Sequence, residues 1–63
     1  MRNLLNVPAA AELLGADPLY VRALVARRAI PFVKLTPGRN GPIRFRPDDL
    51  EAWLADRTVA AQD

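Results

Sequence analysis

The residues Leu13-Leu14-Gly15-Ala16-Asp17-Pro18-Leu19-Tyr20 hold a helix stop and a helix start almost side by side. Gly15 is the stop, because glycine enters the left-handed conformation that closes a helix without steric cost. Asp17-Pro18 is the start: an acceptor side chain for the orphan N–H groups of a first turn, then a ring whose fixed φ suits the first helical position. The turn between the two helices is therefore very short. The rest of the chain is read outward from it.

Toward the N-terminus, Asn6 caps a first helix whose buried stripe is Val7, Ala10, Ala11 and Leu14, spaced i, i+3, i+4, i+7. Toward the C-terminus, Val21, Leu24 and Val25 share the core face of a second helix running to Arg27 or Arg28. Pro31 then enters an extended stretch, Phe32 to Leu35, and another follows from Ile43 to Arg46; the two are expected to pair as a hairpin. With Val33, Leu35, Ile43 and Phe45 pointing inward, period-two alternation puts Lys34, Arg44 and Arg46 together on the outer face. The connection, Thr36 to Pro42, is rich in turn formers and is expected to project as a flap. A third helix begins near Pro47 or Asp48 and buries Leu50, Trp53 and Leu54, with Arg57 placed for its C-terminus. Trp53 reads as core, since its spacing with Leu50 and Leu54 makes a stripe. Thr58 to Asp63 has no periodicity and is expected to fray. The order is helix, short turn, helix, hairpin, helix, a single domain over 1–63 with its ordered part at 4–57.

Composition narrows what such a domain does. The chain has 63 residues and neither cysteine nor histidine. Disulfide frameworks, thiolate zinc sites and histidine-based catalysis are thereby excluded, and a core this small has little room to tune a carboxylate or a lysine. The expectation is a protein that is not an enzyme and needs no cofactor, metal or small-molecule substrate. Charges and prolines interrupt every apolar run well short of the roughly 18 residues of a membrane span, so no membrane partner is expected. Met1-Arg2-Asn3-Leu4-Leu5 opens like a signal peptide, but Asn6, Pro8 and Glu12 break it, which assigns the segment to the fold. Absence of cysteine fits a reducing cytoplasm.

The net charge of +2 hides an asymmetry: Met1 to Pro47 carries eight basic and two acidic residues, net +6, whereas Asp48 to Asp63 carries one basic and five acidic, net −4. Such a split suits one surface that meets a polyanion. Helix-end chemistry explains Asp48, Asp49 and Glu51 equally well, so the position of the basic residues decides. By projection at 3.6 residues per turn, the outward face of the second helix is Leu19, Tyr20, Arg22, Ala23, Ala26 and Arg27. Small apolar residues flanked by arginines suit a helix pressed into a DNA groove; the plainer alternative is a solvated alanine-rich helix. Tyr20 suits a phosphate or a base edge, or packs over the core edge; Leu19 suits a thymine methyl. Arg28 projects toward the core side and reads as a C-terminal cap.

Two helices on a tight turn, a basic second helix and a basic hairpin make a winged helix-turn-helix, mainly α with a β-hairpin. In that geometry Leu19, Tyr20, Arg22, Ala23 and Arg27 are the recognition-helix contacts to double-stranded DNA. Lys34, Arg39, Asn40, Arg44 and Arg46 are those of the wing and hairpin, with Arg39 at the tip suited to a minor groove. A mobile loop with a solvated arginine, and edge protection by Lys34, Arg44 and Arg46, are the alternatives there.

The run Leu5-Asn6-Val7-Pro8-Ala9-Ala10-Ala11-Glu12-Leu13-Leu14-Gly15, the Asp17-Pro18 start, Ile30-Pro31, and Ile43-Arg44-Phe45-Arg46-Pro47-Asp48-Asp49-Leu50-Glu51-Ala52-Trp53-Leu54 resemble the excisionase family of small winged-helix proteins, whose fold is related to that of the MerR regulators. The resemblance spans Leu4 to about Arg57. It implies a non-catalytic factor of a phage or integrative element that binds beside an attachment site, bends DNA and steers a tyrosine integrase toward excision. Neighbouring copies on DNA and that integrase are the partners implied, and a bacterial cytoplasm or nucleoid the location. Many members end the second helix with glycine where this chain carries Arg28, and most have a shorter wing. A small MerR- or AlpA-like transcriptional regulator and a protein-interaction module stand as alternative uses of the same fold.

Overall fold

A computed structural model describes residues 3–38 and 41–59. Its elements are α1 (Val7–Leu14), α2 (Pro18–Ala26), β1 (Val33–Lys34), β2 (Ile43–Arg44) and α3 (Pro47–Arg57), the order the sequence predicts. No helix among the described residues is long and apolar enough to cross a membrane.

Both helix starts are closed as read. The Asn6 side chain accepts from the Ala9 N–H at 2.9 Å, and that of Asp17 from the Leu19 N–H at 2.8 Å. Each cap satisfies one of the N–H groups that a first turn leaves without a helical partner, worth about 1 kcal/mol. Gly15 closes α1 at φ 67°: its N–H reaches the Glu12 carbonyl and the Ala16 N–H reaches that of Ala11, the paired bonds of a Schellman turn. α2 ends one residue earlier than the periodicity suggests, at Ala26, with a turn of the same type. There the Arg28 N–H bonds the Val25 carbonyl and the Ala29 N–H that of Leu24, and Arg28 itself occupies the left-handed position at φ 55°. An arginine thus stands where α1 uses glycine.

The core consists of apolar side chains alone: Val7, Ala10 and Ala11 from α1, Val21 and Leu24 from α2, Ile30 after it, Phe45 after β2, and Leu50 from α3. α1 packs on α2 and on α3, and the hairpin closes the remaining side through Phe45. One pairing lies outside the sequence reading. Leu5 and Phe45 exchange both backbone hydrogen bonds at 2.8 Å, forming an antiparallel bridge beside the hairpin. The chain entering α1 therefore acts as a third short strand, fixing Phe45 at full burial and placing the N-terminal segment from Leu5 onward within the fold.

The hairpin register corrects the expected alternation. Val33 pairs with Arg44 and Lys34 with Ile43, and directly opposed residues in an antiparallel ladder point to the same face. Lys34 consequently shares the face of Ile43, while Arg44 shares the other with Val33. Leu35, expected inside, is 47% exposed. The cause is Phe32, one residue before Val33, which packs against the core and sets the phase of β1. Because the side-chain period is two, that one-residue difference turns Val33, Lys34 and Leu35 over together.

α3 starts at Pro47 with Asp48 and Asp49 in its first turn and Arg57 in its last, as the macrodipole favours. Trp53 is half-buried against the core, as its stripe implied, and its indole N–H donates to the Ala29 carbonyl at 2.8 Å. Arg57 stacks on the Trp53 ring at 3.9 Å and reaches the same carbonyl at 3.4 Å. α3 thereby clamps the turn that ends α2.

Candidate nucleic-acid interface

α2 presents its outward face as projected. Leu19, Tyr20, Arg22, Ala23, Ala26 and Arg27 are all exposed, while Val21 and Leu24 on the opposite side anchor the helix in the core. Leu19 is 74% and Tyr20 53% exposed, so the tyrosine does not retreat over the core edge. Both sit in the first turn, just after the Asp17 cap, where a helix end is free to enter a groove. Two large apolar side chains at a helix tip, followed by Arg22 and Ala23, have an apolar end for methyl groups and a cationic flank for phosphates.

Beside α2 stands the wing. Gly41 closes its neck: a Cβ there would lie 2.7 Å from the Thr36 carbonyl oxygen, so only glycine admits this approach of the two chain segments. Arg39 and Asn40, assigned from the sequence to the wing tip, lie outside the described residues.

Two clefts separate α2 from the wing. The first, of about 240 Å³, is lined by Arg22 of α2, Arg44 of β2, Pro42 of the wing and the residues that open α1. The second, of about 190 Å³, is lined by Val25, Ala26 and Arg28 at the end of α2, and by Phe32, Lys34 and Ile43. The hairpin register is what divides the cations. Arg44 goes to the Arg22 side and Lys34 to the Arg28 side, so the single outer face of Lys34, Arg44 and Arg46 expected from the sequence does not form. Arg46 turns to α3, pairing with Asp49 at 3.6 Å. Arg44 stays half-buried and donates to the Ile43 carbonyl at 2.7 Å.

Sequence reasoning placed Arg28 toward the core and gave it only a cap role. The cap is present in its backbone, but the side chain is exposed: the left-handed φ swings Cβ out of the helical projection on which that reading rested. The available signal was the repeat of one pattern, Gly15-Ala16 after α1 and Arg28-Ala29 after α2. Among the described residues, Arg22, Arg27, Arg28 and Lys34 take part in no ion pair or side-chain hydrogen bond. Arg57, in contrast, is held by Trp53, Ala29 and Asp56.

A capped helix pair on a tight turn, an exposed second helix and a neighbouring hairpin define a winged helix-turn-helix. The chain belongs to the helix-turn-helix domain family, whose model matches residues 4–58, nearly its whole length. This is a DNA-binding family, typically non-enzymatic, and membership implies sequence-specific binding of double-stranded DNA. Neither a curated protein nor a solved structure matches the chain significantly.

Proposed function

We propose that this protein is an architectural DNA-binding factor of the excisionase type. In this reading several copies bind side by side next to an attachment site, bend the duplex and direct a tyrosine integrase toward excision. The observation that carries its DNA-binding core is the first half of α2, where Leu19, Tyr20, Arg22 and Ala23 are exposed together beside the wing. These residues read base edges in the major groove, with Arg27, Lys34, Arg44 and Arg46 on the backbone and Arg39 and Asn40 at the wing tip. The excisionase assignment is supported by the likeness of the segments from Leu5 to Gly15 and from Ile43 to Leu54 to that family.

The test is a gel-shift titration with duplexes from the DNA flanking the gene, each carrying the bound site at permuted positions, against a scrambled competitor. Bands that climb in steps, with mobility depending on site position, are expected from cooperative binding and bending. A single band of position-independent mobility at a promoter would replace the excisionase role by that of a transcriptional regulator. Binding no tighter than to scrambled duplex, with function surviving Arg22→Ala and Arg27→Ala, would replace it by a protein-interaction module.

A further inference from the structure

We infer that Arg28 and Lys34 form a phosphate clamp at the C-terminal end of α2, holding the DNA backbone in the cleft next to the one that Arg22 and Arg44 line. The inference rests on the DNA-binding reading above and adds a contact to it. Arg28 has a left-handed backbone, at φ 55°, in a turn whose counterpart after α1 uses glycine. A side chain in that conformation is strained, and strain that a one-residue change would relieve is retained where the side chain has a task. Capping is not that task, because the bonds of the turn are made by backbone groups that glycine also possesses. Complementing the helix dipole is not sufficient either, since Arg27 already puts a cation at the end of α2.

The surroundings of Arg28 indicate what the task is. The register of the hairpin turns Lys34 toward the cleft that Arg28 borders, which is otherwise lined by Val25, Ala26, Phe32, Gly41 and Ile43. Among the described residues, no acidic side chain lines this cleft and neither cation has an ion-pair partner. Two unpaired cations at the rim of an open cleft next to a DNA-reading helix are suited to a phosphodiester, which brings the missing charge and remains partly solvated.

A random-sequence duplex tests this, because phosphate contacts dominate binding that ignores sequence. Fluorescence anisotropy of a labelled 30-base-pair duplex is followed across a salt series for the full chain, Arg28→Gly, Lys34→Ala and the double variant. Each single change is expected to lower the slope of log affinity against log salt by about one and to weaken binding roughly fivefold to tenfold near 0.1 M salt, the double by about two slope units. Arg28→Lys restores the slope. Ala55→Glu, on the exposed side of α3, changes net charge by the same amount and is expected to leave the slope in place. Melting curves accompany every variant; Arg28→Gly is expected to melt no lower than the parent, so its weaker binding is not unfolding. An unchanged slope in Arg28→Gly, or an equal drop in Ala55→Glu, overturns the clamp while leaving DNA binding intact. Failure of the parent chain to bind any duplex at low salt overturns the DNA-binding reading itself.

Discussion

Replacing Arg28 by glycine is expected to stabilise this protein, and the structure supplies its own control. The turns after α1 and α2 carry the same two backbone bonds, at 3.2 and 2.9 Å around Gly15 and 2.9 and 2.8 Å around Arg28, with φ of 67° and 55°. A Cβ in the left-handed region costs about 1–2 kcal/mol, and the extra freedom glycine gives the unfolded chain takes back about 0.5–1 kcal/mol. The net gain of Arg28→Gly is then about 0.5–1 kcal/mol, since the arginine side chain makes no hydrogen bond or ion pair among the described residues. Gly15→Ala applies the opposite change. No atom lies within 4 Å of the added Cβ, so backbone conformation alone sets its cost of about 0.5–1 kcal/mol. For a domain of this length the total stability is about 3–9 kcal/mol, and such increments move the melting midpoint by roughly 2–8 °C. Thermal and urea melts of both variants, at one ionic strength and pH, measure the pair. A lower midpoint for Arg28→Gly, or a higher one for Gly15→Ala, would refute the reasoning.

Other changes read different parts of the argument. Asn6→Ala and Asp17→Ala each remove a helix cap and are expected to cost about 1 kcal/mol in urea melts; a loss below a few tenths for both would mean the caps bear little of the stability. Trp53→Phe keeps the ring under Arg57 but deprives the half-buried Ala29 carbonyl of its 2.8 Å donor, for an expected loss of about 1–2 kcal/mol; equal stability would show that Arg57 or water takes over the bond. Ala23→Glu puts an anion in the middle of the exposed face of α2 without touching the core. It is expected to abolish binding to a cognate duplex while leaving the melting midpoint within a few degrees, and retained binding would move the DNA interface off α2.

The helices were legible because each of their signals is local. Asn6, Asp17 and Gly15 act on backbone groups within a few residues, and the i, i+3, i+4 stripes name their own buried side. The hairpin was legible in existence but not in phase. Phe32-Val33-Lys34-Leu35 alternates in either register, with Phe32 or with Val33 and Leu35 inside, and neither choice breaks a local rule. What decides is distant: Phe45 is locked by its bridge to Leu5, the opposing positions follow, and Phe32 falls opposite Phe45, where it packs against the core. Nothing near residues 32–35 in the chain encodes the partner at Leu5. The turn at Arg28 was hidden for another reason. Arginine is a good helix former with no preference for the left-handed region, so it marks no stop; the stop is imposed from outside, by Trp53 and Arg57 holding the Ala29 carbonyl.

That tertiary origin also settles how charge is distributed over the surface. Of the cations described, those engaged within the protein are Arg57 on α3, Arg46 at its start and Arg44 on β2, while α2, the turn after it and β1 present Arg22, Arg27, Arg28 and Lys34 without a partner among the described residues. Among the described acidic residues, Asp48, Asp49, Glu51 and Asp56 lie on α3, while Glu12 is on α1 and Asp17 caps α2. A net charge of +2 therefore understates the field at α2. A polyanion approaching α3 meets carboxylates, whereas one approaching α2 meets Arg22 beside its exposed first turn and Arg27, Arg28 and Lys34 at its far end. In the proposed DNA-binding reading, that field orients the duplex before any base is read and brings it to the exposed Leu19 and Tyr20.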